Sequence, residues 1–495
     1  MPRWMSWCRS TLCSVAAAAT LLLIATAPAA AHGGPRRDRN HRGDEGRVVR
    51  AALPPRAVGH IFGVELENES ASTTFGPGSP ATYLNGTLLK QGELIQNYYA
   101  TGHASLDNYI SQISGQAPTG ETSGDCLGPG TNLKTLIGSY DDLLPGNPDP
   151  NQQLYPGQVD GHGCIYPSFV QTIANQLDQL YRPNPFTHLA AWRDYDEDMG
   201  NQPTGRELGA PDPLGGLDCG HPPLNGADNT NAASPATATE PADQYATRHN
   251  GFVYFHSIID NAAECDANVV PLGRVAVGTP SRFDGASLPD TFSGHLADDL
   301  RRIRTTPTFG WITPNLCDDG HDSTCAGPNT ISQIGAGAGG LHGADEFLAH
   351  WVPLLEASPA YRSGQMLIVV TFDEGSGADG TSCCGETPGP DNPTPGFSQL
   401  LAPIYQQLGL PIPNPATGGG RVGAVLLDPR YINPGTVDGT GQYNHYSALR
   451  SYEDLLGITR GGTDGLGHLG FAGAKGLRPF GRDVFNRPFD PFFWR

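Results

Sequence analysis

The chain has 495 residues and a formal net charge of −20, from 50 acidic and 30 basic side chains. This acidic balance argues against general nucleic-acid binding, which needs a basic surface, and against tight adsorption to anionic membranes. The length allows one large α/β domain with insertions or two ordinary domains.

The first 31 residues have the pattern of a secretory signal peptide, and residues 32–55 follow as a basic arm. Arg3 and Arg9 give a charged start, and an apolar run and three alanines come before residue 32. We expect the arm to be a disordered tether, with loose contact to an anionic cell surface as the alternative. No later stretch approaches the ~20 apolar residues that a membrane span needs. We therefore expect an exported protein, secreted or associated with the cell surface, without a transmembrane segment.

Two of the ten cysteines leave with the signal peptide, and the eight that remain favour disulfides in an exported chain. The sequence does not determine their pairing, and the C-x-x-C spacing of a zinc site is absent. Because a bridge between adjacent residues needs strained geometry, we expect Cys383 and Cys384 each to pair with a distant partner. The eight are Cys126, Cys164, Cys219, Cys265, Cys317, Cys325, Cys383 and Cys384.

The first predicted element is a strand over residues 60–66, which ends in the acid-amide pair Glu67-Asn68. In an open α/β sheet, ligands bind beyond the carboxyl ends of the strands, where this pair would stand. Taken alone, the pair could equally be a solvated strand end.

A short amphipathic helix is predicted to begin at Ser105 and to end at Gly115. Its apolar residues have the spacing i, i+3, i+4, i+7, and glycine is a natural stop. Free N–H groups and the positive end of the helix dipole gather at Ser105, where phosphate binds well. Ser105 is therefore either a plain N-cap or a nucleophile. His103, two residues earlier, could orient that nucleophile, protonate a leaving group or pack locally.

Residues 201–244 are rich in Pro, Gly, Asn and Ala and contain few apolar residues, so we expect an insertion or lid pinned at Cys219. Apolar periodicity on either side predicts further regular elements. The predicted helices are 168–181 and 295–303, and the predicted strands are 189–192 and 251–258.

A predicted strand over residues 308–313 leads into a cluster of three acids and a histidine within five residues. Asp319 and His321 are the candidate ligands in this cluster. A lone histidine is more often structural than a ligand, but the flanking acids favour a ligand role for His321. A helix over residues 345–356 is predicted next, with a bend at Pro353.

Residues 366–372 predict a fully buried strand, of the kind found in a parallel sheet with helices on both faces. This strand ends in Asp373-Glu374, as the earlier strand ends in Glu67-Asn68. Four oxygen-bearing side chains would therefore meet at one edge of the sheet. Because packed carboxylates are unfavourable unless a cation neutralises them, the sequence predicts a metal site there.

The last predicted elements are a strand and a helix, at residues 423–427 and 446–456. His445 stands directly before that helix. Strands that alternate with helices predict a parallel α/β fold. No linker after residue 55 divides the chain, so we expect a single domain over 56–495 with 201–244 as a loop insertion.

Five of these motifs, in this order, resemble those of the bacterial phosphoesterase family, which contains secreted acid phosphatases and phospholipases C. The resemblance spans about residues 58–480 and implies the fold of the alkaline phosphatase superfamily: a central, mostly parallel sheet flanked by helices, with long loop insertions. The motifs are Glu67-Asn68, Gly102 to Tyr109, Pro314 to Asp322, Thr371 to Glu374 and Tyr443 to Ser447.

The resemblance implies that Ser105 is a nucleophile that forms a phosphoseryl intermediate, with Thr101 as the fallback because the phospholipase branch uses a threonine in a comparable region. It implies that Asn108 donates a hydrogen bond to a phosphate oxygen. It further implies a metal beside Ser105, held by Glu67, Asn68, Asp373 and Glu374. A second metal or the phosphate itself would be bound by Asp319, His321 and His445.

The predicted cofactor is a divalent metal ion. Oxygen-rich ligands suit Mg²⁺, Mn²⁺ or Ca²⁺ better than Zn²⁺, which prefers nitrogen and sulfur. The resemblance leaves the number and identity of the ions open.

The function we expect is that of a secreted, metal-dependent phosphomonoesterase of the acid-phosphatase type, acting on small phosphate esters. The alternative is a phospholipase C or phosphodiesterase that acts on phospholipid headgroups; a Ser-Leu-x-Asn-Tyr motif and the lack of a β-rich region after residue 480 favour the phosphatase. A second alternative is a non-catalytic surface protein that keeps the fold. None of the main motif positions is lost, which favours an enzyme.

Overall fold

The central sheet of the described residues has eight strands, and the three that lead into the predicted site are neighbours at its middle. Those three run parallel to one another and are fully buried, as expected for strands covered on both faces. In spatial order the sheet is Val269–Pro271, Trp192–Asp196, Phe309–Thr313, His60–Leu66, Met366–Phe372, Ala424–Leu427, Glu93–Ile95 and Thr436–Asp438.

Within this described sheet, Ala424–Leu427 is antiparallel to its neighbours, and the other seven strands are parallel to one another. The fold is therefore a mixed α/β fold with a large, mostly parallel sheet, as predicted. The strands predicted at 60–66 and 366–372 are confirmed, and the strands predicted at 308–313 and 423–427 each begin one residue later.

The structure is a computed structural model of the chain. It describes residues 49–127, 138–145, 154–181, 190–278, 289–321, 325, 339–375, 379–384, 388–392, 395 and 418–487. The predicted signal peptide and the predicted basic arm up to residue 48 lie outside the described residues, as do the residues after 487.

Two helices border the site, and both lie where the sequence predicts them. Ser105–Ser114 ends at Gly115, whose left-handed backbone (φ 70°) closes the helix. His445–Leu456 follows Asn444, whose side chain accepts the N–H of Ser447 at 2.9 Å. The helices predicted at 168–181, 295–303 and 345–356 are observed as Ile173–Tyr181, His295–Asp299 and Gly340–Ala357.

The other elements of the described chain are short. Its further α-helices are Ala71–Thr74, Leu89–Gln91, His256–Ile259, Ala262–Asn268 and Pro359–Arg362, with 3₁₀ turns at Thr122–Gly124, Thr247–His249, Gly251–Tyr254 and Gly470–Gly473 and a π-helical turn at Leu84–Leu88. Small two-stranded sheets pair Tyr98–Tyr99 with Tyr443–Asn444, Gly138–Tyr140 with Gly226–Asp228, Leu144–Pro145 with Gly161–His162, and Arg274–Ala276 with Thr291–Ser293.

Residues 201–244 contain regular structure that their composition did not predict. Leu208–Pro211 and Leu217–His221 form an antiparallel hairpin, and a disulfide joins Cys219 to Cys265. The expected pin at Cys219 is confirmed. The domain limits and the interpretation of this segment as an insertion stay predictions.

The strand predicted at 251–258 is wrong. Gly251–Tyr254 is a 3₁₀ turn and His256–Ile259 is an α-helix. Asn250 caps the turn by accepting the N–H of Val253, so the local hydrogen bond favours a turn over a strand. A short, wholly apolar run does not distinguish the two by periodicity. The strand predicted at 189–192 is displaced along the chain to Trp192–Asp196.

The eight cysteines after the predicted signal peptide form disulfides in the described chain, as predicted. The expectation that Cys383 and Cys384 pair with distant partners is wrong, because they pair with each other. Cys384 has a left-handed backbone (φ 71°), which turns the chain between the two residues. The other bridges are Cys126–Cys164, Cys219–Cys265 and Cys317–Cys325.

None of the helices in the described ranges has both the length and the apolar composition needed to cross a membrane. The longest, Gly340–Ala357, packs its apolar face on the core through Phe347, Leu348 and Trp351. Pro353 lies within this helix.

Candidate active site at the carboxyl edge of the sheet

The structure brings the two predicted pairs, Glu67-Asn68 and Asp373-Glu374, together at one edge of the sheet. Leu66 and Phe372 are register partners at the ends of adjacent parallel strands. The two pairs that follow these strands are joined by a hydrogen bond, in which the Asn68 N–H donates to Oδ1 of Asp373 at 2.9 Å. Asn68 also donates from Nδ2 to Oε2 of Glu67 at 2.8 Å. The register of the sheet therefore determines that these side chains meet.

Ser105 lies against this group. Its Oγ donates to Oε2 of Glu67 at 2.7 Å, and the residue is 5% exposed. Ala104 occupies the N-cap position and offers no side-chain cap, so Ser105 is the first residue of the helix itself. Its hydroxyl is therefore directed to a carboxylate instead of serving as a plain N-cap.

Asn108 organises the loop before the helix. Its Oδ1 accepts the N–H groups of Thr101 and Gly102, each at 3.0 Å. Its Nδ2 donates to the carbonyls of Gly102 and Ala104, each at 2.9 Å. Both amide hydrogens are thus used within the loop, so Asn108 has no donor left for the phosphate contact that the sequence analysis expected. It positions the residues that precede Ser105.

Thr101, the fallback nucleophile, is directed away from the carboxylates. Its Oγ1 lies 2.6 Å from Oγ of Ser111 and 3.1 Å from Oδ1 of Asn108, and the residue is 2% exposed. Of the two hydroxyls, the one beside Glu67 belongs to Ser105.

His103 forms an ion-pair hydrogen bond from Nδ1 to Oε2 of Glu374, and both side chains are largely buried. Next to it, Gly102 lies directly over Asp107: a Cβ at residue 102 would be 2.2 Å from Oδ1 of Asp107. Only glycine fits this close approach, which the loop needs to reach Ser105.

His249 is a site residue that the sequence reasoning missed. Its Nε2 lies 3.4 Å from Oε1 of Glu67, and its Nδ1 lies 3.8 Å from Oδ2 of Asp319. The ring is buried and stacks on Tyr109 at a centroid distance of 5.4 Å. Nothing in the local sequence separates His249 from the other histidines, since its partners come from distant strands.

Asp319 also reaches the site, because it follows the strand beside His60–Leu66. Its carbonyl accepts the N–H of Glu67 at 2.8 Å, and its Oδ1 accepts the N–H of His321 at 2.9 Å. The His321 side chain is exposed at the rim, where its charge acts on Glu67 and Glu374.

His445 is placed differently from the expectation that it binds metal or phosphate. Its Nε2 lies 2.7 Å from the carbonyl of Asp373, and its Nδ1 lies 3.2 Å from the hydroxyl of Tyr98. Burial lowers the pKa of His445 to about 4, so the ring is neutral. With both nitrogens engaged, His445 holds the backbone of Asp373 and presents no ligand atom.

The electrostatics of the site point to a cation. Burial, and then the charges of Asp373 and Asp319, raise the pKa of Glu67 well above its ordinary value. Burial, and then the charge of Glu374, raise the pKa of Asp373 well above its ordinary value. Burial also raises the pKa of Glu374, although His103 opposes this effect. Among the described residues, Oε1 of Glu67 and Oδ2 of Asp373 are buried without a hydrogen-bond partner. A divalent ion that prefers oxygen ligands fits these orphaned atoms.

A second group that could hold a metal ion lies elsewhere in the described chain. Ligand atoms of Asp212, Asp218 and His295 are within 4.8 Å of one another. Nη1 of Arg193 donates to Nδ1 of His295 at 3.1 Å, so Nε2 carries the proton that it shares with Asp212 at 2.8 Å. An ion at this group would have to break that hydrogen bond, whereas Oε1 of Glu67 and Oδ2 of Asp373 have no hydrogen bond to break.

A buried serine at a helix N-terminus faces acidic side chains at the carboxyl edge of a mostly parallel sheet, which is the place where open α/β proteins bind their ligands. A family model described as the Phosphoesterase family matches residues 79–459. The chain belongs to this family, and the resemblance seen in the sequence is confirmed.

The chain is 26% identical over 328 residues to a phosphate-repressible acid phosphatase of Penicillium chrysogenum, an alignment that covers 66% of this chain and 52% of that protein. The chain thus spans about half the length of this curated relative. A solved structure of an alkaline phosphatase superfamily protein from Vibrio parahaemolyticus is similar at a TM-score of 0.36 and 10% identity, covering 82% of this chain and 68% of that one. The alkaline phosphatase PafA gives a TM-score of 0.31 at 10% identity, covering 88% and 100%. The family assignment rests on the family model, since both TM-scores are low.

Proposed function

We propose that this protein is a metal-dependent phosphoester hydrolase of the acid-phosphatase type, with Ser105 as its nucleophile. The observation that carries the proposal is the hydrogen bond from Oγ of Ser105 to Oε2 of Glu67 at 2.7 Å, at the N-terminus of the Ser105–Ser114 helix. A serine hydroxyl is a weak nucleophile and must be activated by a base or a metal. Glu67 is placed to act as such a base, because its Oε2 already accepts the hydrogen bond of the Ser105 hydroxyl.

The metal would be held by Glu67, Asn68, Asp373 and Glu374, whose oxygen atoms favour Mg²⁺, Mn²⁺ or Ca²⁺ over Zn²⁺. When bound, such an ion polarises a phosphoryl oxygen and stabilises the charge that develops on it. The base, the general acid and the donors to the phosphoryl oxygens are groups of the chain itself.

In the proposed reaction, Oγ of Ser105 forms a bond to phosphorus while the bond from phosphorus to the ester oxygen breaks. The hydroxyl proton passes to Glu67, and the departing ester oxygen takes a proton from His103 as general acid. Water then attacks the phosphoserine and gives a proton to His103, while the bond from phosphorus to Oγ breaks and Oγ takes back the proton from Glu67, which releases inorganic phosphate and restores all three side chains. The N–H groups of the first helical turn, other than that of Leu106, which donates to Asp125, stabilise the phosphoryl oxygens.

The remaining site residues have supporting roles in this proposal. Asn108 and His445 position the loop before Ser105 and the backbone of Asp373, respectively. Asp319 and His321, with His249 between Asp319 and Glu67, are proposed to contact a second metal or the phosphate.

The substrates we propose are small phosphate monoesters, by analogy with the acid phosphatase from Penicillium chrysogenum. A phospholipase C acting on phospholipid headgroups remains the alternative within the family. We also propose that the protein is exported, because disulfides persist in oxidising compartments.

The test compares wild type with Ser105→Ala on 4-nitrophenyl phosphate and on phosphatidylcholine vesicles, with added Mg²⁺, Mn²⁺ or Ca²⁺. Ser114→Ala is the matched control, since Ser114 ends the same helix and its hydroxyl is bonded there, donating to the carbonyl of Ile110 and accepting the N–H of Gln116. S105A should lose about 10³-fold or more in kcat at an unchanged melting temperature, while S114A keeps its activity. Full activity in S105A would move the nucleophile to Thr101 or elsewhere, and activity on the lipid alone would favour the phospholipase.

A further inference from the structure

Asp125 occupies the N-terminus of the nucleophile's helix. Its Oδ1 accepts the N–H of Leu106 at 2.9 Å, one residue after Ser105. The first N–H groups of a helix have no partner within it, and they are the groups that bind an oxyanion. A carboxylate therefore already occupies a donor that a phosphoryl group on Ser105 would use.

The loop that carries Asp125 holds the carboxylate in place. Asp125 and Cys126 are successive non-glycine residues with left-handed backbone, at φ 52° and 55°. The N–H of Asp125 donates to the carbonyl of Thr122 at 3.1 Å, and that of Cys126 donates to Glu121 at 3.0 Å. The disulfide from Cys126 to Cys164 ties down the end of the turn. A left-handed backbone costs free energy at a non-glycine residue, and it persists only where the surrounding structure enforces it.

The charges around Asp125 are mixed. Burial raises the pKa of Asp125, and Arg248, the Leu106 N–H and His321 oppose this effect; the charge of Asp125 in turn raises the pKa of Asp107 and of Glu374. Asp125 is partly exposed. The titratable and charged groups that face it from the surrounding elements are Asp107, Arg248, Tyr254, His321 and Glu374.

We propose that Asp125 determines the charge of the phosphoester that the site accepts, favouring a phosphoryl group with one negative charge over one with two. This inference rests on the proposed function of Ser105. The reason is electrostatic: a phosphoryl group beside the Leu106 N–H contacts the Asp125 carboxylate, and each further negative charge on the substrate adds repulsion in a poorly solvated site. The favoured substrates are phosphate diesters, or monoesters in their singly ionised form.

The experiment compares wild type, Asp125→Asn and Glu121→Gln as full-length, metal-loaded proteins. The D125N side chain would keep an oxygen acceptor for the Leu106 N–H but lose the charge. E121Q removes one charge from the same loop, where Glu121 contacts His162 and not the helix. KM and kcat for phenyl phosphate are measured at about pH 4.5 and about pH 7.5, on either side of the second ionisation of a phosphate monoester near pH 6. The inhibition constant of dimethyl phosphate, which has one charge at both pH values, is the reference.

We expect the KM of wild type for phenyl phosphate to rise from the lower to the higher pH. In D125N, the KM at about pH 7.5 should fall by about fivefold or more, with kcat and the dimethyl phosphate constant changed by less than about twofold. E121Q should behave as wild type. A residue that merely capped the helix would alter stability without this split between KM and kcat.

An active D125N with the pH dependence of KM unchanged from wild type would overturn the inference alone. Wild type without activity on any phosphoester would instead overturn the proposed function, and the inference with it. Melting temperatures check the folding of D125N. Asp125→Ser, which also keeps an oxygen acceptor without charge, makes the same comparison if D125N does not fold.

Discussion

His445 fixes the backbone of Asp373, because Nε2 of the histidine donates to the backbone carbonyl of the aspartate at 2.7 Å. The other ring nitrogen accepts from the hydroxyl of Tyr98, so the neutral ring is held at both ends. The contact fixes the residue at which a central strand ends and the acidic pair begins. His445 therefore determines the position of the proposed metal ligands without being one of them.

Replacing His445 by alanine should lower kcat for phosphate esters by about tenfold or more and destabilise the fold by about 1–3 kcal/mol, because two buried hydrogen bonds are lost. His445→Gln, which can still donate to the carbonyl, should recover part of the activity. The measurements are kcat, metal affinity and denaturant unfolding of each variant. If H445Q were no better than H445A while both stay folded, a positioning role through this hydrogen bond would be excluded.

Gly102→Ala should be more damaging than a glycine-to-alanine change usually is. The new Cβ would be 2.2 Å from Oδ1 of the buried Asp107, so either that side chain or the loop before Ser105 must shift. A displacement of a nucleophile by about 1 Å costs about 10²-fold in rate. Gly120→Ala is the control, since a Cβ there meets nothing within 4 Å. We expect kcat to fall by about that factor in G102A and to stay unchanged in G120A; equal activities would show that the loop tolerates the shift.

The site at the edge of the sheet was predictable because two strands, His60–Leu66 and Met366–Phe372, are largely apolar runs that stop at a polar pair. Glu67 and Asp373 follow such runs directly, and the rule for open sheets places them together. The Ser105 helix was predictable for the same kind of reason, since its periodicity and its terminal glycine are local signals. These are the parts of the site that depend on short-range sequence.

The residues that sequence reasoning missed depend on long-range contacts. His249 and Asp125 reach the site from irregular segments with no periodic pattern, and their partners are distant in the chain. The roles of Asn108 and His445 were also not predictable, because a motif identifies a residue but not which of its atoms are already hydrogen-bonded. The vicinal pairing of Cys383 follows from a positive φ at the next residue, which sequence alone does not report.

Removal of the metal should distinguish the two candidate groups of ligands. Dialysis against a chelator should abolish activity and lower the melting temperature, because a ligand bound only by the folded state stabilises it. Re-addition of Mg²⁺, Mn²⁺ or Ca²⁺ should restore both. Asp373→Asn should remove this metal response, whereas Asp212→Asn, at the second group, should keep it.

The measurements are metal analysis of the purified protein, activity, and thermal melts with and without chelator. A metal response lost in D212N and kept in D373N would assign the ion to the Asp212, Asp218 and His295 group instead. Activity that survives complete metal removal would exclude metal dependence.

Asp428 should make stability depend on pH independently of the active site. It follows the antiparallel strand Ala424–Leu427, is 2% exposed, and its Oδ1 accepts the N–H groups of Arg430 and Tyr431 at 2.7 and 2.9 Å. Burial raises its pKa from 3.8 to about 7, against the effect of these hydrogen bonds. The folded state therefore keeps a proton that the unfolded chain releases. The stability from this proton is fully present below about pH 4 and is lost as the pH rises through about 7.

Asp428→Asn should remove this dependence, because an amide does not titrate and still offers an oxygen to the two N–H groups. Relative to wild type, D428N should gain about 4 kcal/mol of unfolding free energy between about pH 4 and about pH 8. Any constant difference from the new amide hydrogens cancels in this comparison of the two pH values. Asp298→Asn, at an exposed side chain paired with Arg301, should show no such trend. The measurement is urea unfolding at several pH values, and a difference between D428N and wild type that stays flat across them would show that Asp428 ionises in the folded protein as it does in water.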